Sequence, residues 1–388
     1  MQKLKHILFI LFFLVISSEL IENTLHPFTP KPLKGVYVVP AKPSFTLDNW
    51  LSGQYQDSVM KHFEQNLELH PTFIRIRNEF AFLCFKEMNV HESEIGKDNF
   101  LFETGYIISY LGRDFVGEDI VREKTMKLAY VQTELKKRNV DLLFVIAPTK
   151  ASYMPENISD KYASLKKERT NYESFIEQFK KQNISYIDLS EYFIKLKPST
   201  KYPLFTRCGI HWSGYGATLA ADTLVKFMEQ KKNIDITDYY YNGGELSEKP
   251  RDTDDDLGSA MNLLHDIPSY PMYYPNLVIK KDNTKIKPNV LIVGDSFVWS
   301  FIGFYKFFPE LFNQNSAYWF YNRELAWENK QESNLKFPLD NKTLTEQTLK
   351  RDYILIVNNR WALNQCASGF IEQMYDLLKQ EEAATKKE

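Results

Sequence analysis

Three unbroken apolar runs of strand length limit what this chain can fold into: "DLLFVIAP" (141–148), "NVLIVGDS" (289–296) and "DYILIVNN" (352–359). Strands that are apolar at every position are covered on both faces, which is the condition of a parallel sheet with helices packed on each side. Amphipathic stretches of helical period separate these runs: "GEDIVREKTMKLAYVQTELKKRNV", residues 162–181, "GATLAADTLVKFMEQ", a helix ending near Lys350 and a closing helix over 362–379. "ISYIDLS" and "SAYWFY" read as further strands. Helix and strand in alternation predict an α/β domain with a mostly parallel sheet, extending from about residue 96 to the end at 388.

The segments before this alternation differ in kind. Lys3 and Lys5 precede the apolar run "ILFILFFLVI" (7–16), the layout of an export leader, so residues 1–20 read as a signal peptide or an N-terminal membrane anchor. Residues 21–95 begin with a proline-rich arm, "HPFTPKPLKGVYVVPAKPSFTLDNW", expected to be extended. Two helices packing on the core are expected over 54–86, with a break near His70 and Pro71. Within the α/β part, residues 233–287 interrupt the pattern with prolines, the acidic run "DTDDD" and the aromatic cluster "YPMYYP". A structureless insertion of that length is a lid or binding loop, or a surface decoration. With 48 basic and 50 acidic residues and no basic stripe, nucleic acid is excluded as a partner. Cys84, Cys208 and Cys366 are an odd number, so at most one pair can bridge.

Ser296 closes a strand at a sharp turn permitted by Gly294, a position that presents a hydroxyl at the carboxyl edge of a parallel sheet. There the backbone N–H groups of a new helix can hold an oxyanion. A helix cap is the competing role for Ser296 or Asp295. The turn lacks the second glycine of a G-x-S-x-G elbow, since Val298 stands there. A serine nucleophile needs a base. Of the seven histidines, His211 is set apart by its glycine-rich turn, "TRCGIHWSGYGATLAADTLVKFM", which leads into a helix capped by Ser213. Lys150 and Tyr153 follow one strand, and Asn358, Asn359 and Arg360 follow another. Together with Arg323 and the Gly294 turn, these are candidates for oxyanion or substrate contacts. Trp299, Trp319, Tyr321, Trp327 and Trp361 are candidates for stacking on sugars or for filling the core. No dinucleotide or phosphate loop and no metal-ligand spacing is present, so no cofactor is expected.

Several segments, in order, carry a family resemblance: "FTLDNWLSGQYQ", "IGKDNFLFE", "GIHWSGYGA" and "LIVGDSF", with "FVIAPTKASYMPE" and "YILIVNNRWAL" adding to it. Over residues 28–380 the chain resembles the AlgX/AlgJ-type branch of the SGNH hydrolase superfamily, exported polysaccharide O-acetyltransferases. The resemblance implies an SGNH hydrolase-like fold, Ser296 as nucleophile and His211 as base. It also implies a cell-surface polysaccharide as acceptor and a membrane-bound acyl donor as partner. One position departs from the pattern: the family's acid lies two residues before the histidine, and here that residue is Gly209. Asp188 or one of Asp254, Asp255 and Asp256 is a substitute acid; otherwise a neutral acceptor orients His211, or the site is dead. An acetyl esterase and a non-catalytic glycan-binding or assembly protein are the alternatives that these outcomes leave open.

Overall fold

The structure is a computed structural model and describes residues 2–25, 29–35, 40–327 and 335–385. It divides into two compact units, Met1–His91 with Leu257–Ile267, and Glu92–Asp256 with Pro268–Glu388. In the first unit, helices span Gln2–Leu25, Leu47–Leu51, Gln54–Asn66 and His70–Phe85. The expected break at His70 is a helix start, with Pro71 in the first turn, where a missing N–H costs nothing. Residues 26–28 and 36–39 of the expected extended arm lie outside the described residues. The apolar side chains of residues 7–15 are exposed on the helix Gln2–Leu25, and among the described residues no helix is long and apolar enough to cross a membrane.

The second unit begins with a hairpin of β1 (Ser93–Ile95) and β2 (Leu101–Glu103). The strands that follow are β3 (Asp141–Ala147), β4 (Tyr186–Asp188), β5 (Tyr239–Ser247), β6 (Met272–Ile279), β7 (Val290–Gly294), β8 (Ala317–Phe320), β9 (Glu324–Trp327) and β10 (Tyr353–Asn359). Six of them form one sheet in the order β4-β3-β10-β7-β8-β9, parallel except for β9. The central strand β10 pairs on both sides, Tyr353 standing opposite Asp141 on β3 and Val290 on β7. This explains the three apolar runs, whose alternate residues serve two cores. Leu143, Val145, Ile292, Leu355 and Val357 pack beneath Ala217, Ala220 and Leu224 of the helix Gly214–Lys232. Leu142, Phe144, Ile146, Val293 and Ile356 face Val121, Leu128 and Val131 of the helix Glu118–Lys137. The architecture is the expected mostly parallel α/β sheet flanked by helices.

Three details depart from the sequence expectation. The closing helix breaks into a 3-10 turn Ala362–Gln365 and a helix Phe370–Thr385, because Cys366, Ala367, Ser368 and Gly369 all take positive φ. The Ala367 N–H there is held by Asn358 Oδ1 at 3.0 Å. The strand β9 is an addition, reversed against β8 across Tyr321 and Asn322 at φ 49 and 52. Residues 233–287 are not structureless, since β5 and β6 form an antiparallel ribbon. Tyr239 and Tyr241 on β5 both donate to Asp222 Oδ1 of the helix Gly214–Lys232, at 2.8 Å each, which fixes the ribbon to that helix.

Candidate active site

The turn after β7 is built for close approach. A Cβ on Gly294 would lie 2.9 Å from the Val357 carbonyl of β10, so the turn accepts no larger residue without moving the sheet. Asp295, fully buried, is the cap of the following 3-10 turn Ser296–Phe301: its Oδ1 accepts the Phe297 N–H at 3.1 Å. Its Oδ2 accepts the Asn359 N–H at the end of β10 at 2.6 Å, and its carbonyl accepts the Tyr318 hydroxyl of β8 at 2.7 Å. The two strands that flank β7 thus hold the turn. Burial pushes the Asp295 carboxyl up to about 6, against the two N–H groups that favour its charge. With Asp295 as the cap, the half-buried Ser296 hydroxyl is free for another partner.

That partner is His211. Its loop is fastened on both sides, by the bridge between Phe205 and Trp212, the Ser213 N–H on the Leu204 carbonyl at 2.8 Å, and the Trp212 indole on Ser300 Oγ. Ser213 Oγ then caps the helix Gly214–Lys232 by accepting the Gly216 N–H at 3.0 Å. The buried imidazole packs edge-on against Phe297, ring centres 4.9 Å apart. Ser296 Oγ lies 2.8 Å from Nε2, and Asp256 Oδ2 lies 2.6 Å from Nδ1. A carboxylate only accepts, so Nδ1 carries the proton and Nε2 is left as acceptor for the Ser296 hydroxyl. Asp256 Oδ1 accepts the Ile210 N–H at 2.9 Å, gripping the residue beside the histidine as well as its ring. Burial disfavours the imidazolium, but the hydrogen bond and charge of Asp256, with the charges of Asp295 and Glu103, outweigh it and raise the His211 pKa above its ordinary value.

Gly209 accounts for the placement of this acid. A Cβ there would lie 2.4 Å from the Thr253 carbonyl oxygen and 2.7 Å from Thr206 Oγ1, because the 3-10 turn Asp252–Asp255 passes directly against it. Thr206 Oγ1 bridges the two segments, accepting the Gly209 N–H at 2.8 Å and donating to the Asp254 carbonyl at 2.7 Å. The space that a side chain at 209 needs is filled by the backbone that delivers Asp256. Of the other acids weighed from the sequence, Asp188 caps a helix by accepting the Glu191 N–H, and Asp254 accepts the Tyr274 hydroxyl at 2.6 Å.

Residues 94–317, more than half of the chain, match the family model described as SGNH hydrolase-like domain, acetyltransferase AlgX. The chain belongs to this AlgX-type family. Among solved structures it is similar to the O-acetyltransferase domain of Pseudomonas putida AlgJ, at 17% identity and a TM-score of 0.47 over 73% of this chain and 98% of that one. It is also similar to Pseudomonas aeruginosa AlgX, at 15% identity and a TM-score of 0.45 over 74% and 68%. For Bacillus cereus PatB1 the values are 13% and 0.39 over 64% and 91%. No curated protein sequence matches it.

In this AlgX-type chain most of the other candidate residues are committed elsewhere. Lys150 is fully buried, and its ammonium donates to the carbonyls of Leu101, Arg207 and Gly209 at 2.7, 2.7 and 2.9 Å. Its three donors are spent on β2 and on the loop that carries His211, which makes it a support rather than a substrate contact; burial pulls its pKa down to about 7. Tyr153 packs against Phe205 and Phe193 in the core. Asn359 Oδ1 accepts the N–H groups of Trp361 and Ala362, and Arg360 stacks on the Tyr172 ring at 3.6 Å. Gly294 shapes the turn through its lack of a side chain, and its carbonyl accepts the Tyr321 N–H at 2.9 Å. Arg323 is exposed, in a groove with Asn322, Ser368 and Gln373. Of the aromatics, Trp319 is core, while Trp299, Trp327 and Trp361 pack on Tyr318, Phe308 and Tyr106.

Two groups stand at the site in roles that the sequence reading did not give them, Tyr321, weighed there only as a sugar-stacking or core aromatic, and Glu103, not weighed at all. Tyr321 lies beside Ser296, and burial together with the charges of Asp295 and Glu103 holds its phenol well above its ordinary range, so the hydroxyl keeps its proton. Its positive φ is strained for a bulky residue, the kind of backbone found at functional sites. Glu103, at the end of β2, is pushed up to about 7 by burial, against the charge of His211 and with those of Asp256 and Glu92. Glu103 closes the quoted "IGKDNFLFE" segment, but no spacing rule connects it to a histidine more than a hundred residues away.

Proposed function

We propose that this chain is an exported polysaccharide O-acetyltransferase that works through an acyl-serine. The observation that carries the reading is the run of hydrogen bonds from Ser296 through His211 to Asp256, at the carboxyl end of a parallel sheet. His211 Nε2 takes the hydroxyl proton as Ser296 Oγ attacks the acetyl carbonyl of the donor, and the carbonyl electron pair moves onto oxygen. The first N–H groups of a helical turn have no partner within it; Phe297 gives its own to Asp295, which leaves the Ser296 N–H for the oxyanion, with the Tyr321 hydroxyl as a second donor. Collapse expels the donor's leaving group, which takes the proton from Nε2 and leaves acetyl-Ser296. A sugar hydroxyl then gives its proton to Nε2 as its oxygen attacks the acetyl carbon. The second collapse returns that proton to Ser296 Oγ and releases the O-acetyl sugar. Asp256 holds the Nδ1–H throughout and stabilises the imidazolium that forms in each half.

The acceptor and the donor follow from the family and the leader. Residues 1–20 direct the chain to the periplasm or outer envelope, anchored or released, where a cell-surface polysaccharide is the acceptor. Acetyl-CoA is cytoplasmic, so the acetyl group arrives from a membrane-bound donor protein. A non-catalytic reading rests on the missing acid at residue 209, and the hydrogen bond between His211 and Asp256 supports the catalytic one. The test is the purified protein with an aryl acetate, with and without oligosaccharide, read by mass spectrometry of the sugar. Acetylated sugar that disappears with Ser296→Ala is the expected result. Free acetate alone, whatever glycan is supplied, makes the protein an esterase, and undiminished turnover by Ser296→Ala refutes the acyl-serine.

A further inference from the structure

A second concave site lies in the compact unit that holds Ser296, apart from the hydrogen-bonded relay. It is a groove of about 480 Å³, inside the range of about 300–1,000 Å³ in which small ligands are held. Two of its walls continue the segments that carry the chemistry. Residues 304–306 leave the 3-10 turn Ser296–Phe301 and lead into the short helix Phe307–Leu311. Arg251 and Asp252 enter the turn that delivers Asp256. The two segments touch at Gly303, where a Cβ would lie 3.3 Å from Asp252 Oδ1. The strand β6 makes the third wall, and Tyr274 ties it to the second. Its hydroxyl accepts the Arg251 N–H at 3.1 Å, and the Arg251 guanidinium lies 4.4 Å above its ring, paired on its other side with Glu245 of β5.

The lining selects among ligands. Arg251 and Lys306 stand against Asp252 and Glu310, so these groups carry no net charge and favour neither an anion nor a cation. Tyr305 is 8% exposed, and its buried hydroxyl has no hydrogen-bond partner among the described residues. Burial and the charge of Asp254 hold that phenol far above its ordinary range, so it keeps its proton as a donor without an acceptor. The half-buried ring of Phe304 adds an apolar face. A wholly apolar ligand would strip water from these charges and leave them unpaired, which is costly. A neutral ring with several hydroxyls accepts from Tyr305 and Lys306, donates to Asp252 and Glu310, and lays its C–H face on Phe304, and this is the chemistry of a neutral sugar. A 3-10 turn rises about 2 Å per residue, so the six residues Ser296–Phe301 set the groove about 12 Å from the nucleophile. A sugar held there is not the one that receives the acetyl group but a more distant unit of the same chain. We propose that this groove is a distal subsite for neutral sugar units of the acceptor polysaccharide, with Tyr305, Lys306 and Glu310 as specificity-determining residues. The proposal rests on the acyl-transfer reading of Ser296 and names the class of polymer on which it acts.

The test measures Kd by calorimetry on the full-length chain carrying Ser296→Ala, which keeps the groove and forms no acyl-serine. The probes are maltohexaose, cellohexaose and fully N-acetylated chitohexaose as neutral hexamers, with hexagalacturonate as the anionic one. At least one neutral hexamer is expected to bind, and to bind more tightly than hexagalacturonate. In the same background Tyr305→Phe removes a single hydroxyl without changing the shape of the wall, and Lys306→Ala and Glu310→Ala each remove one exposed or half-buried polar group. Each is expected to weaken the neutral hexamer by about 3-fold to 10-fold, the value of one hydrogen bond. With Ser296 intact and an aryl acetate as donor, the lead of the hexamer over methyl glucoside as acceptor, read in KM, should shrink by the same factor in Tyr305→Phe. Three results overturn the subsite: no neutral hexamer binds, hexagalacturonate binds more tightly than all of them, or the hexamer Kd is the same in all three variants as in their parent. The binding measurement does not pass through the acyl-serine, so a groove that fails leaves the acyl-transfer reading standing. A groove that binds in a protein that transfers no acetyl group refutes that reading, and with it the role of the sugar as acceptor.

Discussion

Replacing Gly209 by Asp restores a carboxylate where the family pattern places one, and the structure predicts that the rate falls. The new Cβ would lie 2.4 Å from the Thr253 carbonyl oxygen, 2.7 Å from Thr206 Oγ1 and 3.0 Å from the Asp254 carbonyl carbon. A carbon–oxygen contact relaxes to roughly 3.3 Å, so the Thr253 carbonyl has to retreat by about 0.9 Å. The obstacle is backbone, which cannot swing aside like the end of a side chain. Thr206 Oγ1 is displaced at the same time, and it is the atom that bridges the Gly209 N–H to the Asp254 carbonyl. The segment that retreats carries Asp256, whose Oδ2 stands 2.6 Å from His211 Nδ1. A shift of that size costs about 100-fold in kcat, and overpacking of this kind destabilises by about 1–3 kcal/mol. The assay is aryl acetate turnover with thermal unfolding in parallel, on Gly209→Asp, on Gly209→Ala as the steric control, and on Gly209→Asp with Asp256→Ala. Both single variants should fall together, and the double should be no faster than Asp256→Ala. A Gly209→Asp enzyme at wild-type rate, or one that rescues Asp256→Ala, refutes the steric account.

Four further outcomes are expected. Asp256→Asn keeps the shape but removes the charge that fixes the Nδ1–H tautomer, and should lower kcat by about 10³-fold to 10⁴-fold, measured under saturating aryl acetate. The rate should rise with pH through a midpoint above 6.5, since His211 acts as base only when neutral and its neighbouring carboxylates raise its pKa above that value. Glu103→Gln removes a negative charge that favours the imidazolium, so a pH–rate profile of that variant should show the midpoint lower. A midpoint that stays or rises contradicts the placement of Glu103, whose own carboxyl ionises near 7. Lys150→Met strands the carbonyls of Leu101, Arg207 and Gly209, and at about 1 kcal/mol or more for each buried acceptor it should cost about 3 kcal/mol or more in urea unfolding.

Much of the fold was legible because it rests on local pattern. The runs at 141–148, 289–296 and 352–359 are apolar at both parities and become β3, β7 and β10, the centre of the sheet. Ser296 and His211 were legible for a related reason: each lies at an element boundary marked by glycine and a capping residue, and such boundaries gather at the carboxyl edge of a parallel sheet. What stayed hidden depends on packing between distant segments. "DTDDD" offers several carboxylates, and only the path of the backbone past Gly209 decides that Asp256 is the one that reaches Nδ1. Glu103 and Tyr321 come to the site from β2 and from the turn after β8, and neither has a sequence signature apart from the fold. Lys150, Asn359 and Arg360 follow strand ends, as the candidate site residues do, yet their donors and ring contacts serve the scaffold. Proximity to the sheet edge brings a residue near the site without turning its side chain toward it.

The missing acid in "RCGIHW" and the acidic run in the insertion are therefore one feature read at two places. A carboxylate on residue 209 and a backbone crossing at 253–254 compete for the same volume, and a chain can have one of them. Either arrangement satisfies the electrostatic requirement, which is an acceptor on His211 Nδ1 and says nothing about which segment supplies it. The mechanical consequences differ. An acid two residues from its histidine shares that residue's loop and moves with it. Asp256 reaches across from another segment and binds the loop twice, through the His211 ring and the Ile210 N–H, so it also clamps the loop that carries the base. Loss of its carboxylate should then disturb two things that the usual arrangement keeps separate, the tautomer of the imidazole and the position of its backbone. Asp256→Asn can still accept from the Ile210 N–H and Asp256→Ala cannot, so the excess loss in Asp256→Ala over Asp256→Asn measures the clamp. Equal rates for the two variants would assign the whole effect to the charge on Nδ1.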